Sequence, residues 1–393
     1  MKIALVADHA APMRRRPLTG LSGDQIRTRE LSSKLAATGH QVTIYTANHS
    51  PDRPASSQLE NGVQVEQIGP PVASVKELLG GMSAFSGLLR ERWLKDAPDV
   101  VHALRWTGGL AALTAAKGLG LPVIQTFPSL GVAERRHRLD PGTTSTERIR
   151  LEPAIGRTAS AVVAGNSGDA TDLARLGVPR RHIKVIPCGV DTDRYAPEGP
   201  TAKRNGRPRL VTVTELTQDR ALDTLLHALT RVPDAELIVA GGPEQARLPE
   251  DTAYRSLAAR VATLGVTDRV TFTGRLDEDD LPPLLRSAEL YVNTSEYEPT
   301  GMVALDAMAC GTPVITSAAG APADAIEDGT TGIMVPPGRP ALLAYHIRQL
   351  LARPMMLEAL GVAAADRARS RYSWDRIARE SLAVYELELT AAA

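Results

Sequence analysis

The chain has 393 residues, 45 basic and 45 acidic side chains and no formal net charge, a length that predicts two or three domains. With 43% hydrophobic and 23% charged residues it reads as a folded chain rather than a disordered one. The charge balance argues against a nucleic-acid or membrane-surface partner, and 3 Phe, 3 Trp and 8 Tyr are too few for a base-stacking platform. Only seven of the 45 basic residues are lysine, so arginine dominates, the better fork for phosphate and carboxylate.

In chain order, the first apolar run, Lys2–Ala7, is too short for a signal peptide and is interrupted by Asp8. It reads as a buried strand. A helix is expected over Gln25–Thr38, with Ile26, Leu31 and Leu35 on one face and Gly39 as its stop. Strands follow at Gln41–Thr46, Val63–Ile68, Val100–His102, Val123–Thr126, Ala161–Ala164 and Lys184–Ile186. Between Cys188 and Pro208 periodicity stops and Gly, Pro, Asp, Asn and Arg take over, which predicts a linker. The alternation restarts with Arg209–Val213, Glu236–Ala240, Val270–Thr273, Leu290–Asn293 and Val314–Thr316. After the breaker Tyr372-Ser373, Trp374–Leu389 reads as an amphipathic helix.

Strand–helix alternation of this kind implies an α/β protein with parallel sheets covered on both faces. Two such blocks predict two doubly wound domains facing a cleft, residues 1–189 and 190–371, with 372–393 packing back on the first. Ligands of such sheets bind beyond the carboxyl ends of the strands. Cys188 and Cys310 form neither a disulfide framework nor a metal-ligand spacing, and no stretch approaches ~18 apolar residues, so a cytoplasmic protein is expected.

The most informative segment runs from Tyr297 through Glu298-Pro299-Thr300-Gly301 into Met302–Ala309, Cys310, Gly311-Thr312-Pro313 and Val314. It predicts a strand end, a tight turn and a short helix. The amides of Thr300, Gly301 and Met302 are expected as open donors for a phosphate or hydroxyl oxygen. Glu298 precedes the helix and Asp306 lies near its far end. From the residues alone, Glu298 is as readily a loop carboxylate and Asp306 a solvated helix residue.

This segment resembles the donor-site signature of retaining glycosyltransferases of family 4, whose two-Rossmann-domain architecture is called GT-B. The likeness extends to Arg29-Glu30-Leu31, Pro98-Asp99-Val100-Val101-His102, Ile186-Pro187-Cys188-Gly189-Val190-Asp191 and Gly329-Thr330-Thr331-Gly332 through Pro337. It is nearest to actinobacterial members of the kind that serve mycothiol synthesis. The resemblance implies transfer of a sugar from a nucleoside-diphosphate sugar to a small hydroxyl or thiol acceptor, with retention and with no cofactor or metal. Glu298 then orients the sugar, and the amides of Gly301 and Met302 hold its oxygens, with Thr300 beside them in the donor site. Asp306 stands where a glutamate grips the ribose, one methylene shorter. Gly274 and Arg275 fall where the base is received. Gly23, with Ser22 in place of a partner glycine, lies near the diphosphate. Arg220 falls at a lysine that neutralises the diphosphate.

Three further positions depart from the family pattern. Glu215 replaces an arginine of the diphosphate clamp, Leu104 replaces the second histidine of a pair whose first member, His102, is kept, and Pro128 replaces another histidine. A preorganised cation on the leaving group contributes roughly 3–4 kcal/mol, so the departures also admit a non-catalytic GT-B paralogue that binds or activates a partner. Asp191-Thr192-Asp193 reads as linker rather than a metal site, and Asp277-Glu278-Asp279-Asp280 as helix capping. Arg14-Arg15-Arg16 and Arg135-Arg136-His137-Arg138 are either solvated loops or an acceptor site for an anionic group. His102, a lone histidine at a strand end, reads somewhat more readily as structural than as catalytic; it is carried forward with Glu215, Arg135 and Arg136 as candidate acceptor or variant-site residues.

Overall fold

The computed structural model describes residues 1–7, 23–48, 54–59, 61–137, 145–216, 220–317 and 319–392. Its contacts divide it into two compact units. The first holds Lys2–Ala7, Gly23–Cys188 and the C-terminal helix Trp374–Ala392, and the second holds Gly189–Ser373.

The first unit is an eight-stranded sheet. Its strands are β1 (Lys2–Ala7), β2 (Gln41–Asn48), β3 (Ser56–Gln58), β4 (Gln64–Pro71), β5 (Val100–Leu104), β6 (Val123–Phe127), β7 (Ala161–Ala164) and β8 (Ile183–Val185). They lie in the order β3-β4-β2-β1-β5-β6-β7-β8, all parallel except the short β3–β4 pair. β1, β5, β6 and β7 are almost wholly buried, as strands covered on both faces must be. Chain order reverses between β1 and β5, so the crevice at their carboxyl ends is the switch point of this sheet.

One face of the sheet is filled by Tyr45, Phe85, Leu89 and Trp93, with Trp93 edge-on to Tyr45 at 6.2 Å. The C-terminal helix buries Trp374, Ile377, Ala378, Ser381, Val384 and Tyr385, a stripe at the helical period, and packs on the helix Gly23–Ala37.

The second unit has a six-stranded, fully parallel sheet of β9 (Arg209–Val213), β10 (Glu236–Ala240), β11 (Val270–Gly274), β12 (Leu290–Asn293), β14 (Val314–Thr316) and β16 (Gly332–Met334), in the order β11-β10-β9-β12-β14-β16. Its switch point lies between β9 and β12. Beside it, β13 (Tyr297–Glu298) and β15 (Ala319–Gly320) form a parallel pair of two residues each. Both units are Rossmann-like, the GT-B architecture.

Two expectations change. The segment read as a linker is laid down firmly on the second unit: Asp191 Oδ1 accepts from the amides of Asp193 and Arg194, Tyr195 is buried, and Arg286 donates to the carbonyls of Ala196 and Pro200. The acidic run before Leu281 does not cap its helix. Asp280, the N-cap residue, makes no side-chain cap bond, while Glu278 and Asp279 bind the Arg194 guanidinium. A cation 84 residues away in sequence outcompetes the local helix dipole.

Candidate active site

In the second unit the loops after β9, β10, β11 and β12 meet at the carboxyl edge of the sheet. Thr214 N donates to the Ala240 carbonyl at 2.9 Å, Gly241 N to Gly274 O at 2.9 Å, and Arg275 N to Pro243 O at 2.8 Å. Gly274 is thus a bridge between loops, and Arg275 extends beyond it with an exposed side chain. Sequence reading passed over Gly241-Gly242-Pro243. Two glycines directly after a buried strand are the signal that was available.

Thr294 Oγ1 donates to Ala221 O at 2.8 Å and ties the loop after β12 to the helix Arg220–Leu229. Arg220 opens that helix, and its side chain lies outside the described residues. Glu215 is exposed on the loop after β9.

Glu298 ends β13 and turns back over the helix that follows. Its Oε1 accepts from Thr300 Oγ1 at 3.0 Å and from the amides of Thr300 and Gly301, both at 3.3 Å. Two of the three amides expected to be open are therefore taken by the protein's own carboxylate. Met302 N begins the helix and has no intrahelical acceptor. All three bonds run to Oε1, so the turn itself leaves Oε2 unused. β15 holds the arrangement from the side. A Cβ on Gly320, whose φ is +94°, would stand 2.4 Å from the Glu298 carbonyl oxygen, so only glycine lets β15 approach here.

Asp306, on the same helix, is 6% exposed rather than solvated. Burial holds its carboxyl well above the usual range; the Asp191 carboxylate adds to this and the Arg194 guanidinium opposes it. The Tyr195 hydroxyl is pushed up by burial and then by Asp306, and among the described residues it is buried without a hydrogen-bond partner.

In the first unit His102 is a core residue. It is 1% exposed, with Nδ1 2.6 Å from the Tyr385 hydroxyl and Nε2 2.7 Å from Thr126 Oγ1. Burial lowers its pKa to about 3, and Arg27 adds to the shift, so the ring is neutral. It joins β5, β6 and the C-terminal helix and presents no nitrogen to a ligand. Leu104 is buried at the end of β5, and Pro128 is half-buried after β6. Arg135 is exposed, while Arg136 donates to Asp172 at 2.9 Å. Gly23 begins its helix, half-buried. Ser22, Arg14, Arg15, Arg16 and Arg138 lie outside the described residues.

The switch point of this unit holds a residue that sequence reading missed. Arg105 follows β5 with φ +66°, the one non-glycine residue with positive φ among the described residues. Gln125, fully buried, donates from Nε2 to the Arg105 carbonyl at 3.0 Å. A Cβ on Gly109 would overlap Gln125 Oε1 at 1.9 Å, so the bare helix surface at Gly109 gives Gln125 its room. The Arg105 guanidinium, one-third exposed, lies 3.6 Å from Asp24 at the start of the helix after β1.

Residues 207–353 match the family described as "Glycosyl transferases group 1", and residues 22–189 match the one described as "Glycosyl transferase 4-like domain". The chain is 31% identical to D-inositol 3-phosphate glycosyltransferase 2 of Catenulispora acidiphila, over 98% of this chain and 94% of that protein. The chain belongs to the group 1 glycosyltransferases. Mannosylfructose-phosphate synthase of Agrobacterium fabrum is 29% identical, with 98% of this chain and 91% of that protein covered. Among solved structures, sucrose-phosphate synthase from Thermosynechococcus elongatus superposes with a TM-score of 0.87 at 26% identity, covering 100% of both chains. This group 1 glycosyltransferase is thus a transferase of GT-B fold, and no helix among its described residues is long and apolar enough to cross a membrane.

Proposed function

We propose that this glycosyltransferase takes its sugar from a nucleoside-diphosphate sugar bound at the carboxyl edge of the second unit and passes it, with retention, to a small hydroxyl or thiol acceptor. The carrying observation is the Glu298 carboxylate, locked by one oxygen onto the Thr300–Gly301 turn with the other unused by that turn. A carboxylate fixed in this way meets a sugar hydroxyl without paying the entropy of ordering a free side chain. Met302 N supplies an adjacent donor at the positive end of the same helix. Asp306 takes the ribose hydroxyls, which replace the water it lacks in its buried position. Arg220 meets the diphosphate as charge builds on the leaving group. Transfer runs in the cytoplasm, in keeping with two buried, unbridged cysteines, and without a metal ion, so chelator leaves turnover unchanged.

Titration calorimetry with UDP, GDP and dTDP tests the donor site. Micromolar binding of one nucleotide, weakened at least tenfold by Arg220→Ala, is the expected result. Binding of none of them sinks the donor reading and leaves a GT-B protein that works through a partner.

A further inference from the structure

The relatives' names speak of phosphorylated compounds: an inositol 3-phosphate glycosyltransferase, a mannosylfructose-phosphate synthase and a sucrose-phosphate synthase. The GT-B resemblance implies that the first unit holds the acceptor, and an acceptor phosphate needs a cation at the carboxyl edge of that unit. Of the described arginines at that edge of the first unit, Arg135 is exposed and two others are engaged by carboxylates. Arg105 faces Asp24, and Arg136 is bonded to Asp172.

The tightest engagement follows β6. Arg148, 11% exposed, donates from Nη1 to Glu134 Oε2 at 2.8 Å and from Nε to Glu152 Oε1 at 2.7 Å. Its Nη2 donates to the Ser129 carbonyl at 2.7 Å and to the Ser129 hydroxyl at 3.0 Å. Glu152 Oε2 accepts from Gly131 N at 2.9 Å, and the Ser129 hydroxyl donates to Glu134. The loop directly after Phe127 is therefore built around one guanidinium and two carboxyl groups. Arg148 is thus already bonded to two carboxyl groups before any ligand arrives. The outer carboxylate, Glu134, keeps a 12% exposed side chain at this edge, whereas Glu152 is 1% exposed.

We propose that Glu134 is a specificity-determining residue: by occupying Arg148 it turns the acceptor site of this chain away from phosphorylated acceptors and toward uncharged hydroxyl compounds. The inference rests on the glycosyltransferase reading above and adds the acceptor's charge class. A phosphate brought to this loop meets Glu134 before it reaches Arg148, and it must displace a bond already made in a partly buried setting. A neutral polyol meets no such repulsion; it can accept from the guanidinium edge and donate to the carboxylates.

The test is calorimetry on the full chain with matched pairs, D-inositol 3-phosphate against inositol and fructose 6-phosphate against fructose. The wild type is expected to bind neither phosphorylated compound more tightly than its parent. Glu134→Gln is expected to tighten the phosphorylated member of a pair by about tenfold, and Glu134→Lys by more, with no matching gain for the parent. A wild-type preference of tenfold or more for a phosphorylated compound overturns the proposal, and that arm needs no variant to fold. Equal phosphate affinity in wild type and Glu134→Gln also overturns it. Nucleotide titration of the same samples separates this outcome from failure of the donor reading, because Glu134 belongs to the first unit and Glu298 to the second.

Discussion

The carboxyl edges of the two sheets are built from different materials. In the second unit the edge is mainly backbone: the amides of Thr214, Gly241 and Arg275 donate to the carbonyls of Ala240, Gly274 and Pro243, and Glu298 is held by two further amides. In the first unit it is mainly side chain: Arg105 with Asp24, Gln125 beneath Arg105, and Arg148 between Glu134 and Glu152. Backbone geometry survives most substitutions, whereas an ion pair changes sign with one. On the reading proposed above, a group 1 glycosyltransferase keeps one way of holding a donor while single residues at the other edge reset its acceptor.

The largest effect that tests this contrast is expected at Glu298. Glu298→Gln preserves an oxygen for the Thr300 and Gly301 amides, so the melting temperature should hold while kcat falls about 100-fold, roughly 3 kcal/mol of transition-state stabilisation. An unchanged kcat would leave Glu298 a turn cap and nothing more.

In the first unit the corresponding buried group is structural. Tyr385→Phe removes the hydroxyl from His102 Nδ1 and should lower stability by about 1–3 kcal/mol, with nucleotide binding untouched. Because the folded His102 titrates at about 3, below its unfolded value near 6.5, its contribution is complete above 6.5 and is lost as pH falls toward 3. The unfolding free energy of the wild type, from denaturant titration, should therefore decline by about 1.4 kcal/mol per pH unit in that window, and a flat profile would contradict the buried neutral ring.

Asp306 has the opposite sign. Its folded pKa is raised above the ordinary 3.8, so stability is fullest below that value and is lost as pH climbs toward the folded pKa. Asp306→Asn should remove that slope, raise the melting temperature at pH 7 by a few degrees and weaken nucleotide binding at the same time. Stabilisation without loss of nucleotide affinity would place Asp306 outside the donor site.

The smallest effect is expected at exposed Glu215. Glu215→Arg should leave stability within about 0.5 kcal/mol and raise nucleotide affinity a few-fold, measured in the calorimeter. Weaker binding would give Glu215 a role of its own.

The longer strands were legible because a parallel strand buried on both faces is a continuous apolar run. β3, β15 and β16 escaped, being two or three residues long with Ser, Gln or Gly among them. The Glu298 turn and its helix were also legible, since Pro and Gly punctuate them locally. That Glu298 occupies the turn's own amides was not, because a side-chain rotamer leaves no periodic trace. His102 read as a candidate ligand residue for want of a partner that stands 283 residues away.

Sequence by itself determined two α/β blocks, their strand order along the chain and the turn that carries Glu298, because periodicity and turn chemistry depend on neighbours a few residues apart. Only the tertiary structure decided which charges are available: that Arg148 is engaged, that Asp306 is buried, that His102 is neutral and that Arg105 sits in a strained conformation. Charge state and hydrogen-bond satisfaction are set through space by groups far apart in sequence. A balance of 45 basic against 45 acidic residues therefore describes the whole chain and none of its sites.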